Sequence, residues 1–174
     1  MTWHTRGMNE DSRCAVAHGD VAAETEDRVL VAVFASPVAG FLLRYGADAG
    51  FRPVLVEPDG ERPAGVDAEV VRQFGDLDDR ADVVVTDHHR PELGVVLRDA
   101  LARKPRWIGV LGNPRHPGPH VAALRELGVA ESDIARVHRP IGLNIGSRTP
   151  PEIAVATLAG LLADRNGKPG GFEF

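Results

Sequence analysis

The residues best suited to chemistry lie between His138 and Ile153, in the stretch HRPIGLNIGSRTPPEI. Gly142 and Gly146 flank Leu143-Asn144-Ile145, and Arg148 follows closely. Glycines let a backbone approach a ligand, and a guanidinium beside them supplies a fork for an anion. Thr149-Pro150-Pro151-Glu152 then opens a helix: Thr149 can cap it, Pro150 takes the first helical position, and Glu152 can complete a capping box. The free N–H groups and dipole of that helix start make the neighbouring Gly146-Ser147-Arg148 an anion site. The plainer reading, a well-capped core helix, suffices for the cap itself. For the loop Pro140–Arg148, ligand contact is expected.

Three other stretches carry groups of interest. Asp87-His88-His89 joins a carboxylate to two imidazoles that can exchange protons near neutral pH. A metal there would need a further ligand, with Asp87, His116, His120 and His138 as candidates; the alternative is a helix cap beside solvated histidines. Gly112-Asn113 ends another apolar run, where Gly112 could offer its backbone to an anion and Arg115 could add charge. His116 and His120 are four apart, but Pro117, Gly118 and Pro119 between them rule out a one-face helical zinc motif. The turn after the first apolar run has Ala35, Pro37 and Gly40 where a dinucleotide fingerprint has three glycines, with Ser36 between them. Glu57, about twenty residues on, stands where a ribose-binding acid would sit.

The elements that must position these residues read as alternating strands and helices. Strands are expected over Arg28–Phe34, Arg52–Glu57, Ala81–Thr86, Arg106–Leu111 and, shorter, Ile134–His138. Helices are expected over Val38–Ala49, Val66–Phe74 and Pro91–Lys104. A further helix is expected with the apolar face Val121, Leu124 and Leu127, and a last one over Pro150–Ala163 burying Ile153, Val155, Leu158, Leu161 and Leu162. This is the pattern of an α/β single domain with a Rossmann-like, doubly wound parallel sheet, whose ligands bind beyond the carboxyl ends of the strands. Residues 1–27 are expected to be a flexible lead-in, with at most one short helix, residues 28–167 the domain, and residues 168–174 a tail.

Composition narrows the function. The chain has 174 residues, 43% hydrophobic and 26% charged, with a net charge of -5. An acidic balance argues against a nucleic-acid partner. No apolar run reaches the length of a membrane span, and the N-terminus lacks a signal-peptide core. With one cysteine, Cys14, no internal disulfide can form, and the cytoplasm is the expected compartment.

RWIGVLGN, followed by LRELGVAESDIARVHRPIGLNIGSRTPPEIAVATLAGLLADRNG, resembles the C-terminal Rossmann-like domain of the xanthine dehydrogenase accessory protein family (XdhC/CoxI). The match is tightest at His138, Pro140–Leu143, Ile145-Gly146, Thr149-Pro150 and Glu152–Ala154, and it runs more weakly back to Val38-Ala39 and VVVTDH. The resemblance implies a carrier or chaperone rather than an enzyme. Such a protein binds molybdenum cofactor, favours its sulfuration and delivers it to a molybdenum hydroxylase apo-enzyme, with a sulfurase as a further partner. It implies a cofactor-binding set of Ala35, Ser36, Glu57, Asp87, His88, Gly112, Asn113, Arg115, Gly142, Asn144, Gly146 and Arg148, with no catalytic residue and no metal site. The chain departs from the family pattern in four places. First-turn glycines are replaced, Asn144 stands for Asp, Asn113-Pro114 stands for Ser-Arg, and Cys14 lies in a lead-in shorter than the family's cysteine-bearing N-terminal domain. An NAD(P)-linked oxidoreductase and a ligand-free protein-interaction scaffold are the alternatives. A homodimer through the small apolar C-terminal helix is also compatible with the sequence.

Overall fold

The structure, a computed structural model, describes residues 10–20, 27–62, 65–113 and 115–171. Parts of the expected lead-in and tail lie outside these residues, as do Pro63 and Pro114 in two expected loops. A short helix, α1 (Glu10–Ala17), precedes the domain. The domain then runs β1 (Arg28–Val33), α2 (Pro37–Asp48), β2 (Phe51–Val56), β3 (Glu69–Val71), β4 (Ala81–Val85) and α3 (Leu93–Ala102). It continues through β5 (Trp107–Val110), α4 (Pro119–Glu126), α5 (Glu131–Ile134), β6 (Val137–His138) and α6 (Pro150–Arg165).

All strand pairs are parallel, in the order β3-β2-β1-β4-β5-β6. A strand buried on both faces needs a continuous apolar run, and β1 supplies one from Val29 to Val33. Val29, Val31 and Val33 join a core with Leu97 of α3, Leu124 of α4 and Ile134 of α5. Leu30 and Ala32 face the other way, into a core with Leu42 and Leu43 of α2 and Leu158 and Leu161 of α6. The sheet is therefore covered on both faces, and the chain reverses direction across it between β1 and β4. The carboxyl ends of β1, β2, β4, β5 and β6 share one edge, so every loop singled out above arrives there.

Three expectations change. The helix expected over Val66–Phe74 is instead β3, whose Val70 and Val71 extend along β2. The open edge of β2 offers unpaired backbone groups, and β-branched residues suit a strand better than one short helical turn. Ile134 closes the one-turn helix α5, so the last strand shrinks to Val137-His138. On α6, Val155 is 50% exposed, and the small residues Ala154, Ala156 and Thr157 take the inner face because α6 packs closely over α2 and the Gly142 loop.

Candidate functional site

The reversal point between β1 and β4 is where a doubly wound sheet opens a crevice for a ligand. Here it is bridged by side chains. Ser36 caps α2 by accepting the Ala39 N–H at 3.0 Å, and its hydroxyl donates to Thr86 Oγ1 at 2.9 Å. Thr86 in turn donates to the carbonyls of Val33 and Phe34 at 3.0 and 2.9 Å. Phe34 is buried with φ +71, a left-handed conformation unusual for a bulky residue.

That φ corrects the frame of the first turn. The left-handed position is Phe34, the helix cap is Ser36, and the fully buried helix–strand contact is Ala39. The spacing of a dinucleotide fingerprint therefore falls on Phe34, Ser36 and Ala39, not on Ala35, Pro37 and Gly40. No glycine remains at any of the three.

Glu57, 2% exposed, lies beneath this turn. Its Oε2 accepts the Ala35 N–H at 2.7 Å and Arg90 Nη1 at 3.2 Å. Its Oε1 accepts the Asp59 N–H at 3.0 Å and Arg90 Nη2 at 3.0 Å. All four lone-pair positions of the carboxylate are thus used within the protein. Burial pushes the Glu57 carboxyl up, but Arg90 and the two backbone donors outweigh it and hold it below its ordinary range. Arg90 stacks 4.7 Å over the Phe34 ring and also reaches Glu92 at 3.1 Å.

Two clefts flank this braced centre. One, of about 740 Å³, lies beside α2 and is lined by Ala35, Ser36, Phe41, Arg44 and Arg62 among others. The other, of about 760 Å³, lies between the ends of β4 and β5 and brings together His88, His89, Asn113, His116 and Arg139 over Leu93 and Ala123. Asp87 fixes the entry to the second by accepting the His89 N–H at 3.0 Å, and the His88 and His89 rings pack 4.1 Å apart. Burial, then His89 and Arg139, hold the His88 pKa below its usual value. Arg139 Nη1 donates to the His116 carbonyl at 2.9 Å and Nη2 to the Asn113 carbonyl at 3.0 Å. Its guanidinium lies over Gly112, where a Cβ would come within 2.5 Å of it. Among the described residues, no three His, Cys, Asp or Glu side chains converge as a metal ion would require.

The glycine-bearing loop takes a different place. Gly142, at φ +88, lies against α6, where Leu143 donates to the Ala156 carbonyl at 2.9 Å. Glu152 accepts the N–H groups of Arg148 and Thr149 at 2.8 and 3.1 Å and completes the expected capping box. Asn144, Gly146 and Arg148 are exposed, and none of them lines either of the two clefts. The expected site residues therefore separate into three groups. Ala35, Ser36 and Glu57 form the braced turn. His88 and Asn113 line the second cleft, with Asp87 at its entry and Gly112 beneath Arg139. Gly142, Asn144, Gly146 and Arg148 belong to the α6 loop. Arg115 is exposed, its N–H donating to Asn113 Oδ1 at 2.9 Å. Thr86, Arg90 and Arg139 were not among the expected residues. The one available signal for Arg139 was its place between His138 and Pro140, two residues counted in the family-like stretch.

The model of the XdhC Rossmann domain matches residues 30–161. The uncharacterized protein YqeB of Escherichia coli K12 is 47% identical over 74 residues, which is 42% of this chain and 14% of YqeB. The crystal structure of a xanthine dehydrogenase from Bacillus halodurans has the same fold, with a TM-score of 0.62 at 22% identity, over 81% of this chain and 45% of that one. The chain spans less than half the length of either relative.

Proposed function

This chain belongs to the XdhC Rossmann domain family, and we propose on that premise that it serves the maturation of a xanthine dehydrogenase-type molybdenum hydroxylase. In this reading its cargo is molybdenum cofactor, held at the carboxyl edge of the sheet and delivered to the apo-enzyme in the cytoplasm. A sulfurase acting on the held cofactor is the second proposed partner. The observation that carries the reading is the family match, which spans β1 to most of α6 and so includes every loop at that edge. A cargo with a flat ring system and a phosphate needs an apolar wall and a cationic clamp. The cleft between β4 and β5 offers Leu93 and Ala123 for the first and Arg139 for the second.

The first turn disfavours the dinucleotide alternative. The Ala35 N–H is spent on Glu57, Pro37 has no N–H, and the Ala39 N–H is spent on Ser36. A pyrophosphate brought to this turn would find these donors already taken. The expected carrier role is tested by transfer. Apo-hydroxylase is mixed with a limiting amount of cofactor, with and without stoichiometric chain. Faster or more complete recovery of hydroxylase activity is expected with the chain present. Recovery unchanged by the chain would remove the carrier role.

A further inference from the structure

The cleft between β4 and β5 has a lining at odds with the net charge of the chain. The chain carries 25 acidic residues and a net charge of -5. Yet the cleft is lined by Arg90, Arg139, His88, His89 and His116 and by no Asp or Glu. Arg90 is neutralised by Glu57 and Glu92, so its charge is spent. Arg139 is different, because its two hydrogen bonds go to neutral carbonyls, those of His116 and Asn113. These bonds orient the fork without cancelling its charge. Its buried Nε has no hydrogen-bond partner among the described residues. Gly112 leaves the space in which the guanidinium lies. A guanidinium fixed by carbonyls, in a concave site whose lining holds no carboxylate and whose entry holds only Asp87, is built to take an anion with charge-assisted hydrogen bonds. The start of α4, with no side-chain cap, adds dipole of the same sign at the cleft wall formed by Pro119 and Ala123.

The geometry points to this cleft as a phosphate-monoester site anchored by Arg139, with His88, His89 and His116 as flanking imidazoles. The site is argued from the cleft alone; only the choice of a pterin phosphate as its natural occupant rests on the function proposed above. A nucleoside monophosphate presents the same group, so the experiment carries both.

Inorganic phosphate is titrated into the full chain, followed by calorimetry and by the histidine imidazole resonances in NMR. Saturable binding is expected, with the His88, His89 and His116 signals shifting together. Arg139→Gln should weaken phosphate at least about tenfold, as expected for loss of a charge-assisted contact. Arg98→Gln, on the exposed face of α3, should leave it unchanged. Phosphate saturation with all three imidazole signals unmoved would overturn the site, as would undiminished affinity in a folded Arg139→Gln. If that variant unfolds, the wild-type imidazole shifts still decide. Molybdenum cofactor and a nucleoside 5′-monophosphate are then used as competitors. Phosphate binding that only the nucleotide displaces keeps the site and removes the pterin occupant. Cofactor binding that leaves the bound phosphate and the shifted imidazole signals in place removes the pterin occupant from this cleft and leaves the carrier role standing.

Discussion

Glu57 and Arg90, thirty-three residues apart, form a two-pronged buried ion pair, Nη2 to Oε1 at 3.0 Å and Nη1 to Oε2 at 3.2 Å, and Glu57 also holds the Ala35 amide. The pair locks the first turn to the loop after β4. Removing one partner of a buried pair leaves the other charge uncompensated, at a cost of about 3–5 kcal/mol. Glu57→Gln is therefore expected to lose about 3 kcal/mol, a fall in Tm of roughly 6–12 °C for a domain of this size. A thermal melt checks it, and a curve superimposable on wild type would mean that the pair does not hold the turn.

Phe34 sets two effects against each other. Glycine at φ +71 would relieve about 1 kcal/mol of left-handed strain. Removing a fully buried ring that also stacks on Arg90 costs about 3–5 kcal/mol. Phe34→Gly is thus expected to destabilise by about 2 kcal/mol or more, although it restores the residue that the turn conformation favours. A more stable variant in denaturant titration would show that strain dominates.

The two loop glycines should differ. Both have positive φ, so alanine costs about 1–2 kcal/mol of backbone strain at either. At Gly142 the new Cβ would also lie 3.1 Å from the Ala156 carbonyl carbon and the Thr157 nitrogen, whereas at Gly146 it meets open space. Gly142→Ala is expected to cost about 1–3 kcal/mol more than Gly146→Ala through overpacking. Equal denaturation midpoints for the two variants would show that the loop moves off α6 without penalty.

Acid should weaken the fold through two imidazoles. His120 is 5% exposed, and burial, with Arg139, lowers its pKa below 6.5; burial, His89 and Arg139 do the same for His88. For a depressed imidazole the unfolded chain binds protons first. Its stabilisation is complete above 6.5 and is lost as pH falls from there through the folded value. Glu57 has a depressed carboxyl whose effect begins only below 4.5, outside this window. The Tm should therefore fall between roughly pH 7 and pH 5, and His120→Leu should flatten that slope. A variant with the wild-type slope would exclude His120 as a source.

The sheet was legible in the sequence because its strands are continuous apolar runs, as in Val29–Val33 and Val83–Val85, and because Thr149–Glu152 announces a helix through purely local chemistry. β3 was not legible: nothing local in Val70-Val71 says that the free edge of β2 is waiting. The turn frame was misplaced because the left-handed residue is a phenylalanine, and spacing alone points to where glycines should be. Arg90 and Arg139 escaped for the same physical reason. Their partners, Glu57 for one and the carbonyls of Asn113 and His116 for the other, lie more than twenty residues away and meet only when the parallel strands end at one edge. The loop from Pro140 to Arg148 stood out by composition, yet its Gly142 serves contact with α6.

In the function proposed above, this domain holds molybdenum cofactor and not a dinucleotide. Equilibrium dialysis of the purified chain against molybdenum cofactor and, separately, against NADPH tests it most directly. Saturable retention of the cofactor, with NADPH passing freely, is expected. Retention of NADPH with the cofactor passing freely would contradict that function.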